Sequence, residues 1–110
     1  MKKNKEKKEL KPEALNTPGL TLVHFRTEWN AACQIVSMIY DDLAKSYEGA
    51  ASFYTIDMET EDHLVKEYGV TDLPTILFFK AGKIIDHATG LIPKNILISK
   101  IESALTIKTI

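Results

Sequence analysis

Apolar and polar positions along this 110-residue chain fall into blocks whose period switches between two and roughly 3.6 residues. KPEAL, residues 11–15, predicts a short helical turn, with Pro12 early in it where a missing N–H costs little. NTPG, 16–19, is loop chemistry. LTLVHF, 20–25, is apolar without clean alternation, which suits a strand buried on both faces. From Asn30 the pattern turns helical: Ala32, Val36, Ile39, Leu43 and Tyr47 form an inward stripe that Ile35 widens. Asp41, Asp42, Lys45 and Glu48 mark the wet side, and Gly49 is a natural stop. ASFYTID, 51–57, predicts a second strand. Thr60 followed by Glu61 and Asp62 predicts an N-cap and a short helix ending at Tyr68-Gly69. TILFFK, 75–80, and KIIDHAT, 83–89, predict a hairpin around Ala81-Gly82-Lys83, with Gly90 ending its second strand. PKNILISKIESAL, 93–105, predicts a closing helix with Ile96, Leu97, Ile101 and Leu105 inward. The order strand, helix, strand, helix, strand, strand, helix requires a right-handed parallel crossover followed by a hairpin. The fold class is therefore α/β, a central mixed sheet with helices on both faces.

Composition narrows the picture modestly. The length suits one domain, and 45% apolar content suffices for a packed core. No apolar run approaches the roughly eighteen residues of a membrane span, and the start lacks the apolar stretch of a secretory signal. A cytoplasmic location is the expectation, with a trimmed secreted form left open. The net charge of −1 points neither to nucleic acid nor to an acidic partner. It hides an asymmetry: residues 1–11 carry six lysines and two glutamates, for +4, and residues 12–110 carry eight basic and thirteen acidic groups, for −5. The segment 1–11 reads as a charged, frayed terminus, with a tethering tail as the other reading, and 12–110 as a single domain. Cys33 is the only cysteine, so no internal disulfide and no cysteine-based metal cluster can form. His63 and His87 read as surface residues, and neither a metal nor a cofactor is implied.

Four motifs stand in order on these elements. LVHFRTEWNAAC, 22–33, resembles the strand of the thioredoxin family that leads into a tryptophan and Cys-Gly-Pro-Cys. YGVTDLPT, 68–75, is similar to that family's Tyr-Gly-(Ile/Val)-x-x-(Ile/Val)-Pro-Thr loop. FFKAGK, 78–83, is similar to its Phe-x-x-Gly hairpin, and Thr89-Gly90 to its strand-ending glycine. The resemblance runs from about residue 9 onward and implies a thioredoxin fold. It also implies a family of thiol–disulfide and redox homeostasis. The departures sit where that chemistry should be. Asn30 stands at the first cysteine, Ala31 and Ala32 at the Gly-Pro pair, and Cys33 at the second cysteine. His24 stands at the buried acid and Met38 at the proline that kinks the helix.

These departures have physical consequences. In a Cys-x-x-Cys protein the first thiol is held as thiolate by the helix N-terminus and attacks a disulfide, and the second resolves the product. Asn30 cannot attack, so the two-cysteine cycles are excluded in their usual form. Asn30 is instead a good N-cap for the amide of Ala32 or Cys33, and Met38 returns a backbone hydrogen bond that proline would remove. Trp29, Asn30, Ala31, Ala32 and Cys33 thus read as a vestigial active-site motif. Cys33 is either a buried structural thiol or a monothiol. By the resemblance His24 lies on the strand beneath it, either as a core histidine or as an activating base or imidazolium.

The resemblance further implies a cis Leu73-Pro74 bond that presents backbone to a substrate peptide. Trp29, Leu73, Pro74, Gly90 and Leu91 are then candidate peptide-binding residues, unless Trp29 merely packs on the loop. The first expectation is a non-catalytic peptide- or protein-binding module with its partner at the groove around Pro74. The alternative is a monothiol redox protein in which Cys33, assisted by His24, exchanges with glutathione or a protein thiol. A purely structural domain of a larger assembly is the third.

Overall fold

A computed structural model describes residues 12–107; the lysine-rich segment 1–11 lies outside the described residues. A 3-10 helix, Pro12–Asn16, precedes β1 (Leu20–Arg26), α1 (Ala31–Ser46), β2 (Ala51–Asp57), α2 (Asp62–Glu67), β3 (Thr75–Lys80), β4 (Lys83–Thr89) and α3 (Lys94–Thr106). The strand order is β2-β1-β3-β4. β1 pairs parallel with β2 and antiparallel with β3, and β3 pairs antiparallel with β4. This is the mixed α/β sheet expected from the pattern, with one parallel crossover through α1.

Two strands, β1 and β3, are covered on both faces, which is why their sequences do not alternate cleanly. Leu20, Leu22, Ile76 and Phe78 face α1 and α3, against Val36, Tyr40, Leu43, Leu97 and Ile101. Val23, Phe25, Leu77 and Phe79 face the other way, against Leu15 of the 3-10 helix and Leu64 and Val65 of α2. Even-numbered residues of β1 therefore point toward α1, and His24 is among them.

The inward faces of α1 and α3 hold Val36, Leu43, Leu97 and Ile101 as expected, and one residue on each helix departs from the expectation. The buried stripe of α1 is Cys33, Val36, Tyr40 and Leu43. Ile35, expected inward, is 48% exposed. At 3.6 residues per turn it lies about 120° from the centre of that stripe, beyond the reach of the sheet. The same correction applies in α3. Leu97, Ile101 and Ala104 are buried, Ile96 is exposed and Leu105 is half-buried. Ile96 is one residue, or about 100°, away from Leu97, and that rotation carries it into solvent.

Thr60 does not cap α2. The carbonyl of Asp57 accepts from the amides of both Thr60 and Glu61, so a turn occupies these residues and helical geometry starts one residue later, with Glu61 at the cap position. The β3–β4 turn places Ala81 and Gly82 at φ 52° and 80°. The Gly82 amide donates to the Leu15 carbonyl at 2.6 Å, which fastens the 3-10 helix to the hairpin.

Candidate functional site

Because β1, β2 and β4 end where β3 begins, four connections gather at one end of the sheet. Two of them carry the expected site. The first leads from β1 into α1. Asn30 has extended geometry, φ −108° and ψ 122°, and its Oδ1 accepts from the Cys33 amide at 2.9 Å. Its own carbonyl accepts the Gln34 amide at 3.1 Å, the first intrahelical bond. Gln34 Nε2 donates back to the Glu28 carbonyl at 2.9 Å, which fixes the loop that carries Trp29. An asparagine at this position is a complete N-cap.

The two side chains that flank this cap have opposite fates. Trp29 is 84% exposed, so it does not pack on the neighbouring loop. Cys33 is 0% exposed. One helical turn inward on the buried stripe, its thiol faces the sheet rather than solvent.

The second connection joins α2 to β3. The Leu73–Pro74 peptide bond is cis. Thr75 Oγ1 donates to the Asp72 carbonyl at 2.6 Å, and the Gly90 amide donates to the Pro74 carbonyl at 2.8 Å. Gly90 has φ 85°, a region open to glycine and costly for most other residues, and that geometry places its amide on the loop. Among the described residues no hydrogen bond is made by the N–H or C=O of Leu73, so this backbone is free to pair with an added strand. Leu91 is 59% exposed, and Leu73 and Gly90 are half-buried. Pro74 itself is buried. Its ring shapes the loop from within.

Beneath this end lies His24, 1% exposed, opposite Thr55 of β2 and Ile76 of β3. Its ring sits 4.9 Å from that of Tyr40, and its Nε2 has no hydrogen-bond partner. Burial lowers its pKa to about 3, with the nearby Arg26 cation adding to the effect. Burial thus favours the neutral imidazole at neutral pH, the form that acts as a base. Tyr40 is likewise held protonated by burial. Its hydroxyl donates to the Tyr54 carbonyl at 2.6 Å and lies 3.0 Å from that of Leu22, which pins α1 across β1 and β2.

Sequence reasoning missed the outer face of α1. Ala31, Ile35 and Met38 share it at i, i+4 and i+7, and Met38 is 74% exposed. The spacing of these three was legible, but apolar type alone made Ile35 look inward. His63 and His87 are exposed, as expected from their positions. Among the described residues no helix is long and apolar enough to cross a membrane.

The thioredoxin family model matches residues 2–103. The chain belongs to the thioredoxin family. Thioredoxin of Chlorobaculum thiosulfatiphilum is 30% identical over 95 residues, covering 86% of this chain and 88% of that protein. Thioredoxin 2 of Chlorobaculum tepidum is 31% identical over 90 residues, covering 82% and 83%. The crystal structure of Malassezia sympodialis thioredoxin superposes with a TM-score of 0.78 at 20% identity, covering 86% of this chain and 82% of that one, and shows the same fold. Within the thioredoxin framework this chain carries a single sulfur at the motif, on Cys33, with Asn30 one turn before it.

Proposed function

We propose that this thioredoxin-family chain is a non-catalytic peptide- or protein-binding module, with Trp29, Leu73, Gly90 and Leu91 as its contact surface and Pro74 as the residue that shapes it. The observation that carries the reading is the contrast between Trp29 and Cys33, one 84% and the other 0% exposed. The apolar docking face stays open while the only thiol is sealed beneath it. Asn30 supplies a helix cap where an attacking thiolate would stand, so the motif contributes stability in place of nucleophilicity. The free backbone at Leu73 supports main-chain pairing with an extended segment. The module is proposed to work in the cytoplasm, where a lone free thiol such as Cys33 stays reduced. The test is the Leu91→Asp variant, which puts a charge on an exposed side chain of the docking face and leaves the core untouched. Photo-crosslinking from Trp29 should trap a partner with the parent chain and none with the variant, whose circular dichroism stays unchanged. Equal trapping by both proteins removes the groove assignment.

One observation favours a second reading. His24 is a neutral imidazole with an unpartnered Nε2 on the sheet face that α1 covers, so a base is retained in the layer that holds Cys33. In that reading the Cys33 thiolate attacks glutathione disulfide. A Cys33–glutathione bond forms, the disulfide's own S–S bond breaks, and glutathione thiolate leaves. A glutathione adduct on Cys33 in the intact mass of the folded protein supports the monothiol; its absence under conditions that modify the unfolded chain excludes it.

A further inference from the structure

The four connections at the docking end are residues 26–30, 57–62, 68–74 and 89–94, and together they carry six carboxylates and two cations. Both cations are already engaged: Arg26 lies 3.8 Å from Asp57, and Lys94 lies 2.7 Å from Asp42. Glu28 and Asp72 are exposed and make no ion pair among the described residues. Glu28 directly precedes Trp29, and Asp72 directly precedes Leu73. Two apolar anchors of the groove therefore each stand beside an uncompensated negative charge. The acids do not converge: among the described residues no three His, Cys, Asp or Glu groups come together as a metal-binding set. Their charge acts as a rim around an apolar centre.

We infer that the groove takes an extended peptide segment with an apolar residue flanked by lysine or arginine, an inference that rests on the docking reading above. An apolar anchor alone is indifferent to the charge of its flanks. A rim of one sign is not: it speeds the encounter with basic segments and penalises acidic ones. Glu28 and Asp72 lie on two different loops at the same end of the sheet, so cations flanking the anchor meet counter-charge from both connections.

The experiment uses the full chain and two fluorescein-labelled synthetic peptides that share a Val-Leu-Phe core, one flanked by lysines and one by glutamates. Fluorescence anisotropy at about 0.05 M salt should show the lysine peptide binding roughly tenfold tighter or more, with the ratio shrinking at about 0.5 M salt as screening shortens the range of the rim. The Glu28→Gln/Asp72→Asn double variant should bring the two affinities together. Trp29→Ala should weaken the lysine peptide, because the rim without its anchor holds little. Equal affinity for the two peptides overturns the charge assignment and leaves the docking reading standing. Binding of neither peptide, or binding untouched by Trp29→Ala, overturns the docking reading itself. Sedimentation of the protein alone that shows a dimer lost in Trp29→Ala gives the face to a second copy and overturns the peptide assignment.

Discussion

His24 should make the fold lose stability in acid well before most carboxylates titrate. Its pKa is about 3 in the folded chain against an ordinary value of 6.5. Between these values the unfolded chain binds a proton that the folded chain refuses, so stability rises with pH through this window and is fully present above about pH 6.5. Lowering the pH from 7 to 4 moves the unfolded pKa about 2.5 units above the solution value, which costs roughly 3 kcal/mol at 1.36 kcal/mol per unit. That is a large part of the 5–15 kcal/mol that a domain commonly has. The perturbation is His24→Leu, which keeps an apolar volume beside Tyr40 and removes both the titrating ring and its unpartnered Nε2. Urea unfolding at fixed pH from 7 to 4 measures both proteins. Asp42, whose pKa is lowered by its hydrogen bond and charge pairing with Lys94, and the other carboxylates act on both proteins alike. The difference between the two curves therefore isolates His24. The parent should lose about 3 kcal/mol more than the variant over this range. Parallel losses would refute the reasoning, because they would mean that the buried site accepts the proton.

Three further outcomes follow from the same geometry. Asn30→Ala removes the acceptor of the Cys33 amide and should lower the unfolding free energy by about 1 kcal/mol in urea titration. Gly82→Ala should cost about 1–2 kcal/mol in thermal unfolding, since Gly82 has φ 80° and an added Cβ would run into the Asn16 side chain. Tyr40→Phe keeps the ring contacts with His24 and Phe53 but loses the bond to the Tyr54 carbonyl, and should cost about 1 kcal/mol with no change in the fold by NMR.

Strands and turns were the most legible part of this sequence. Runs such as ASFYTID and TILFFK are rich in aromatic and β-branched residues and end at turn residues, so their limits follow from local chemistry. The cap at Asn30 was legible for the same reason: a side-chain amide one turn ahead of an apolar stripe has one favourable use. The edges of the helix faces were not legible. Ile35 and Ile96 are apolar and exposed, and Tyr40 is buried by virtue of a hydroxyl that reaches two strands. Residue type records what a side chain can tolerate, whereas the sheet decides which side it meets. Lys80 is another case. It ends an apolar strand and is 6% exposed, yet its Nζ reaches the Leu105 carbonyl at the end of α3, a partner set by tertiary packing. At the site, the motif revealed the missing nucleophile, but the burial of Cys33 and the exposure of Trp29 emerged only once α1 was laid on β1.

Cys33, the remaining sulfur, is out of reach in the folded chain, and its alkylation by iodoacetamide reads this out. The rate is measured against pH in the folded protein and again in urea. Labelling should be slow across neutral pH in the folded chain and fast once it unfolds, because Cys33 is 0% exposed. Fast labelling of the folded protein, rising through an inflection near or below pH 7, would contradict this and make Cys33 a working monothiol.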